Sequence, residues 1–563
     1  MASKPEIVVG IDFGTTFSGF SWAANSGLKR VHLVTDWETS NAFEGTNEKV
    51  RTWISYTRNQ PTSFGYTAVG RPFKWFKILL QPDHYSQSVQ DVRNANKGLR
   101  EFSKSLEEVI SDYLSWIWLR GKEDIARKQG HDFELRYDIR VILTVPAAWK
   151  PIAKDRTLRA AKRAGLPENI ELVTEPEAAA LATLSAKSDE HELQKGDVFV
   201  VCDAGGGTVD LISYQVLNPS PLQIKECGVG EGDLCGSAFL DLGFENIIKT
   251  KIGESKYNTT KEKDRKKMLE DFEYRIKRHF NGDITKNYSV ELRGAGDDPD
   301  EDDDLIDVRG SAVCTIFDHV CNKIDTLVEN QVKQVKAEGL KVKAILLVGG
   351  FGSSKYLHSR LDKIYRQRGI NVLQANDPWS AVCRGATMWG LEHKAVVSRN
   401  ARYSYGYSVN VPFESGKHDM VDRYWDVSEG IHRARDQMGW LLKWGEEIQA
   451  GRTLVWFDYN TFKESDLLSS STRSFTRNLH YSEARIAPSK KSHDVIPLVS
   501  VDFQIDSQRI LETTENRKGA DGNLWRDVNF KMEIELRNAD LGFTVLYMGK
   551  KVGYMKASYR ENF

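Results

Sequence analysis

Cysteine pairs, long apolar runs and the common nucleotide fingerprints are all missing from this chain. Its six cysteines (Cys202, Cys227, Cys235, Cys314, Cys321 and Cys383) are scattered with no CxxC pair. That argues against a zinc site or a disulfide framework and suits a reducing compartment. No apolar run approaches the roughly 20 residues that span a bilayer. The opening residues have no apolar core of a secretory signal and run straight into a strand pattern, so the expected compartment is cytoplasmic, with the nucleus as the alternative. Charge of one sign is also lacking, since 78 Lys and Arg almost cancel 79 Asp and Glu. Nothing in that balance points to nucleic acid or a membrane surface. No GxxxxGK[ST] occurs, which removes the P-loop proteins, and the protein-kinase motifs are absent too.

Glycine-rich turns are what the chain does have. At 197–216 the sequence DVFVVCDAGGGTVDLISYQV sets two apolar, β-branched runs around a turn. Gly205, Gly206 and Gly207 leave backbone N–H groups open to something bulky and anionic. Asp203 and Asp210 would repel an anion unless a cation stood between, and phosphates with a hard divalent ion satisfy the whole set. The plainer alternative is a tight hairpin with acidic ends. A second copy lies at the start, EIVVGIDFGTTFSGFSWA, where Asp12-Phe13-Gly14 matches Asp203-Ala204-Gly205 and the hydroxyls of Thr15 and Thr16 follow. A repeat at that separation predicts two related α/β lobes facing each other across a cleft.

A third turn, AILLVGGFGSSKYLHSRL (344–361), joins an apolar strand through Gly349, Gly350 and Gly352 to a helix starting near Ser353 or Ser354. A nucleotide can lie against such a junction, although a plain tight βα turn reads equally well. Between the hairpins the pattern predicts strand 139–145, helix 150–164, strand 170–174 and a helix from Pro176, with Glu175 at the strand's carboxyl end. There a carboxylate could position a water, or simply begin a helix.

Taken together, IDFGTTFSGF, CDAGGGTVD, TEPEAAALA, LLVGGFGSSKYL and NDPWSAVCRGATMWGL resemble, in order, five segments of the 70-kilodalton heat-shock protein family. That family lies within the actin–hexokinase–heat-shock superfamily, and the likeness covers residues 6–393. It implies a two-lobed actin-like α/β ATPase domain over 1–395, with lobe I at 6–195 plus 374–393 and lobe II at 196–373. It also implies ATP or ADP with Mg²⁺, the metal held by Asp12 and Asp203, mostly through water. Gly14, Thr15, Thr16, Gly205, Gly206, Gly207 and Thr208 would contact phosphates, and Glu175 and Asp210 would orient the attacking water. A lysine should reach the γ-phosphate; VGRPFKWFK offers Lys74 at the family's spacing and Lys77 as the alternative. Lys277 and Arg278, on a helix expected over 268–280, would pack on adenine together with Gly349, Gly350 and Ser353.

The pattern departs from the family in four places. Ser353 stands where a basic residue would close over adenine, and Trp379-Ser380 replace an aspartate-glutamate pair. The stretch from His393 lacks the acidic, leucine-rich linker. Residues 402–563 read as β-rich, with Val528, Phe530, Met532, Ile534 and Leu536 alternating with polar residues and a hairpin turning at Gly549. This resembles the atypical, lid-less branch of the family. The acidic stretch 294–307 reads as a solvated insertion rather than a surface for a basic partner, and YLSWIWLR (113–120) as the buried face of a helix. The expected activity is slow ATP hydrolysis in a chaperone-like switch whose β domain engages protein clients or signalling partners and co-chaperones. The other readings are a non-hydrolysing ATP-gated scaffold and a small-metabolite kinase.

Overall fold

The computed structural model describes residues 4–26, 29–39, 47–70, 72–81, 97–189, 193–295, 304–375, 377–392, 395–449, 451–537 and 540–556. Most of the acidic stretch, 296–303, and the first two linker residues, His393 and Lys394, lie outside them. The chain divides into two compact units, Met1–Val397 and Ser398–Phe563.

The first unit holds two sheets of the same design. In one, β1 (Glu6–Asp12) pairs antiparallel with β2 (Phe17–Ala24), which carries β3 (His32–Leu33) and β4 (Val50–Arg51). A small hairpin, β5 (Ile54–Thr57) and β6 (Gln60–Phe64), lies outside this sheet. On its other side β1 pairs parallel with β7 (Asp138–Val145), which pairs parallel with β8 (Ile170–Thr174). In the second sheet β9 (Val198–Ala204) pairs antiparallel with β10 (Val209–Pro219), which passes to β11 (Leu222–Asp233). A separate hairpin joins β12 (Asn287–Glu291) to β13 (Leu305–Arg309). Then β14 (Val342–Val348) and β15 (Asn371–Gln374) extend the second sheet in parallel beyond β9. The order β2-β1-β7-β8 is thus repeated as β10-β9-β14-β15, and the matched aspartates Asp12 and Asp203 close the first strand of each hairpin.

The sequence explains the layers around these sheets. The strands buried on both faces are runs of Val, Ile and Leu, as parallel sheets require. The helix Gly310–Ala337 buries Val313, Phe317, Val320, Ile324, Leu327, Val328 and Val335 at helical spacing in the core of the second sheet. The YLSWIWLR segment falls inside the helix Leu106–Gln129, opened by a Ser105–Glu108 capping box, with Trp116 and Trp118 buried. A different core joins the lobes. Val8 and Ile142 of the first sheet, Val201 and Leu346 of the second, and the alanines Ala178, Ala179 and Ala180 belong to one apolar cluster. Those alanines lie on the helix Glu175–Asp189, which packs against Ala381–Leu391 so closely that a Cβ on Gly385 would collide with the Ala178 carbonyl.

One helix differs from the pattern read in the sequence. In place of a single helix over 268–280, an α-helix Glu262–Asp271 passes into a π-helical turn, Phe272–Lys277. The wider turn accommodates Glu273 and Lys277 as an ion pair, and such turns concentrate at functional sites.

The second unit opens with β16 (Val396–Asn400), a strand that begins in the first unit. Beyond it, β17 (Ser404–Pro412), β18 (Arg423–Asp426) and β19 (Ile431–Leu442) contribute to one sheet, and β20 (Glu447–Gln449) pairs with β16. A second sheet starts with β21 (Thr453–Lys463). Strands β22 (Thr472–Ser482) and β23 (Ile496–Asp506) complete the first, in the order β18-β19-β17-β22-β23. β24 (Asn516–Lys518), β25 (Leu524–Arg537), β26 (Asp540–Tyr547) and β27 (Lys550–Lys556) complete the other, ordered β21-β25-β26-β27 with β24 on β25. Val528, Phe530, Met532 and Ile534 point inward, and Phe530 meets Phe503 and Phe475 of the facing sheet at 5.0 and 5.7 Å. The last hairpin turns at Met548-Gly549, both at positive φ, matching the right-handed twist of its strands.

Gly385→Ala should lower the stability of the first unit by about 2 kcal/mol, because the added methyl meets backbone that cannot step aside. Scanning calorimetry of the full chain should show the transition of the first unit moved down and that of the β unit unmoved.

Candidate active site

The two hairpin turns touch. A Cβ on Gly206 would collide with the Thr16 side chain, and one on Gly207 would lie 2.7 Å from Thr15 Cγ2. The second turn is braced from behind, where the N–H groups of Gly236, Ser237 and Ala238 donate to the carbonyls of Gly207, Gly205 and Gly206. Above the turns opens a cleft of about 920 Å³. Asp12, Gly14, Thr15, Thr16, Lys74, Glu175, Asp203, Gly205, Gly206, Gly207 and Thr208 line it, as do Lys277, Arg278, Gly349, Gly350 and Ser353. These residues come from six separate stretches of the sequence.

Two expected residues lie elsewhere. Asp210 is buried beside Asp203 in the β9–β10 register and accepts from the Ala148 N–H at 3.2 Å. It faces a small adjoining cavity, with Thr208 shared between the two spaces. Lys77 lies beneath the cleft, 1% exposed, and donates to Glu175 Oε1 at 2.5 Å. The rings of Phe13 and Trp149 flank its ammonium at 5.5 and 5.2 Å. Lys74 lines the cleft itself, its ammonium 4.1 Å above the Trp53 ring. The two lysines left open by spacing therefore divide, one to the wall and one to the floor.

The electrostatics follow from burial. Loss of water pushes the Glu175 carboxyl up to about 7; Lys77 opposes the rise, and Asp12 and Asp210 add to it. Burial also holds Asp203 well above the usual carboxylate range, with the Glu175 charge adding and Lys49 opposing. Lys49 escaped the sequence reading. Its ammonium donates to Asp12 Oδ2 at 2.5 Å, while Thr144 Oγ1 donates to the other carboxylate oxygen at 3.2 Å. Burial pulls Lys49 down, but Asp12 and then Asp203 outweigh that, and its value stands above the ordinary lysine range.

At the far wall Lys277 is buried between Asp241, at 2.8 Å, and Glu273. Arg278 Cζ lies 5.7 Å from the centre of the Trp379 ring, and Trp379 meets Phe17 edge-on at 5.5 Å. Ser353, where the family sets a basic side chain, instead turns its hydroxyl to the Gly350 carbonyl at 2.7 Å. Trp379 thus supplies the broad face of this wall, a role that a tryptophan in NDPWS does not announce.

The donors suit Mg²⁺. Four buried carboxylates (Asp12, Glu175, Asp203 and Asp210) gather with two buried ammoniums, Lys49 and Lys77, and so many hard oxygen donors suit a divalent ion. Among the described residues no three His, Cys, Asp or Glu converge closely enough to hold a metal directly. Asp12 and Asp203, both lining the cleft, would hold a hydrated ion through water.

Two duplicated α/β sheets with paired phosphate-type hairpins over a shared acidic floor define the actin-like, two-lobed nucleotide-binding class. Residues 134–397 match the Hsp70 protein family model, and 399–563 match a domain of unknown function, DUF8568. Human Heat shock 70 kDa protein 12A is 27% identical over 558 residues, covering 82% of this chain and 80% of that protein. Human Heat shock 70 kDa protein 12B is 24% identical, covering 73% and 72%. Chaperone protein HscA homolog of Rickettsia rickettsii (strain Sheila Smith) is 25% identical over 396 residues, covering 68% of this chain and 57% of that protein. Residues 134–397 thus carry an Hsp70-family domain, and the relatives support a divergent place for the chain in that nucleotide-binding, chaperone-like group. Among the described residues no helix is long and apolar enough to cross a membrane.

Well above pH 7, where Glu175 is ionised, Lys77→Met leaves its carboxylate without a partner and should cost about 3 kcal/mol in urea unfolding. Adding Glu175→Gln should recover most of that loss. A double variant as unstable as the single one would mean that Lys77 acts through packing on Phe13 and Trp149 rather than through charge.

Proposed function

We propose that the first unit binds ATP and hydrolyses it slowly, and that nucleotide state governs how the β unit engages a protein partner. The observation that carries this reading is the meeting of the two glycine hairpins over Asp12, Asp203 and Glu175 in one cleft. The N–H groups of both turns, with Thr15, Thr16 and Thr208, cradle the polyphosphate, and Lys74 neutralises its outer end. The base packs on Trp379 beside Arg278, against Gly349 and Gly350. Asp12 and Asp203 would hold Mg²⁺, which would supply charge neutralisation at the phosphates. Glu175 accepts a proton from the attacking water. Lys77 fixes the rotamer of Glu175 and favours its ionised form. Asp210 supports this floor from the adjoining cavity through Thr208 and Ala148 rather than touching the water.

Hydrolysis is the preferred reading because Glu175, a cleft-lining carboxylate of raised affinity for protons, can take a proton from water. Single-turnover hydrolysis with Mg²⁺, run with and without an unstructured peptide, tests the reading. Asp203→Asn and Glu175→Ala should each lower the rate about a hundredfold or more. Peptide stimulation supports the chaperone-like switch, whereas ATP that binds without turnover and ignores peptide supports the scaffold.

Because Glu175 must be ionised to take a proton, and burial sets its value at about 7, turnover should rise with pH through that value. Lys77→Met should move the midpoint upward, since the cation that favours the carboxylate is gone. Trp379→Ala should weaken nucleotide affinity about tenfold, the usual worth of one stacking face, in a fluorescent-nucleotide titration.

A further inference from the structure

Lys49 reaches the floor from the residue before β4, a strand of only two residues, Val50–Arg51. Three bonds hold that segment in place. Val50 pairs with Ser18 of β2, the Thr52 N–H donates to the Thr16 carbonyl at 2.8 Å, and the Tyr66 hydroxyl donates to the Lys49 carbonyl at 3.0 Å. The side chain is therefore delivered by fixed backbone, and it is 8% exposed. Its ammonium lies against Asp12, at the root of the first phosphate turn, and lines the cleft together with Asp203.

An ammonium has three N–H donors, and Asp12 accepts from it through one oxygen while the other is engaged by Thr144. Two donors remain on a side chain that lines the cleft in common with Gly14 and Thr15, where an anionic oxygen would come. The Asp12 carboxylate offsets much of the ammonium charge, so a second anion is held mainly through the remaining N–H donors, as charge-assisted hydrogen bonds in a site where water screens little. Resting on the nucleotide-binding reading, we propose that Lys49 is a built-in counter-cation for the nucleotide. Its ammonium bridges Asp12 and a phosphate oxygen, carrying part of the neutralisation that the divalent ion provides. This protein consequently holds a nucleoside diphosphate or triphosphate when Mg²⁺ is withdrawn.

The test is equilibrium binding of a fluorescent ADP analogue to the full chain, in Mg²⁺ and in EDTA, for wild type, Lys49→Met and Lys49→Arg. Wild type should lose less than about tenfold in affinity on removal of Mg²⁺, and Lys49→Met about a hundredfold, the scale of truncating one partner of a buried charge pair. Lys49→Arg keeps the charge and should follow wild type. Equal losses in wild type and Lys49→Met would overturn the proposal and leave Lys49 as a pin for β4. A large loss by wild type alone is enough to overturn it, so the result does not depend on whether a variant folds. Failure of wild type to bind in Mg²⁺ is a separate outcome: it overturns the nucleotide reading and this proposal with it.

Discussion

Carboxylates crowded at the meeting point of two hairpins set the terms for the rest of the first unit. Asp12 and Asp203 close equivalent strands of duplicated sheets, and Glu175 and Asp210 complete the group, all with little access to water. Such a concentration of negative charge is unstable unless cations are brought to it. Two lysines come from different directions, Lys77 from under the floor and Lys49 from a short edge strand. What charge remains uncompensated is what makes the cleft receptive to a hydrated divalent ion with its phosphates. The apolar scaffold around it holds these groups at fixed separations, which matters because a small relaxation would let the carboxylates reach solvent.

The glycines follow from the same crowding. The turns approach until side chains would collide, so Gly206 faces the Thr16 side chain with no room for a methyl. Small residues recur where the helices Glu175–Asp189 and Ala381–Leu391 cross beneath both lobes. The run EPEAAALA, which reads in sequence as a helix of high propensity, is alanine-rich because its neighbour lies so near. The same helix begins with Glu175, so the helix that joins the lobes also carries the carboxylate of the floor.

Much of this was legible in the residues alone. Repeated strand–Asp–Gly–hydroxyl patterns pointed to Asp12, Asp203 and the two glycine turns that meet in the cleft, because local chemistry of that kind is written in consecutive residues. The alternation Val528, Phe530, Met532, Ile534 announced the inward face of a β-strand for the same reason. Lys49 was not legible, since it precedes a two-residue strand with no periodicity, and its partner Asp12 lies 37 residues away. Spacing after Val69-Gly70 could not separate Lys74 from Lys77; the short helical turn Phe76–Leu80 that buries one and leaves the other on the wall is a tertiary outcome. Asp210 looked equivalent to Asp203 in the motif, yet it stands opposite Asp203 on the neighbouring strand and opens into the cavity behind. The π-helical turn at 272–277 was equally hidden, because it leaves the apolar spacing of Phe272, Ile276 and Phe280 intact.

The seam between the helices has a mechanical consequence. At Gly385 the contact is backbone on backbone; on the other side of Ala381–Leu391, Gly10 of β1 lies against the Thr387 N and the Cys383 carbonyl. Side chains can change rotamer to let one surface slide over another, but backbone pressed on backbone has no such slack. Translation along the seam is therefore blocked. The seam acts as a locked joint: the small residues that bring the two helices together also keep them from sliding past one another.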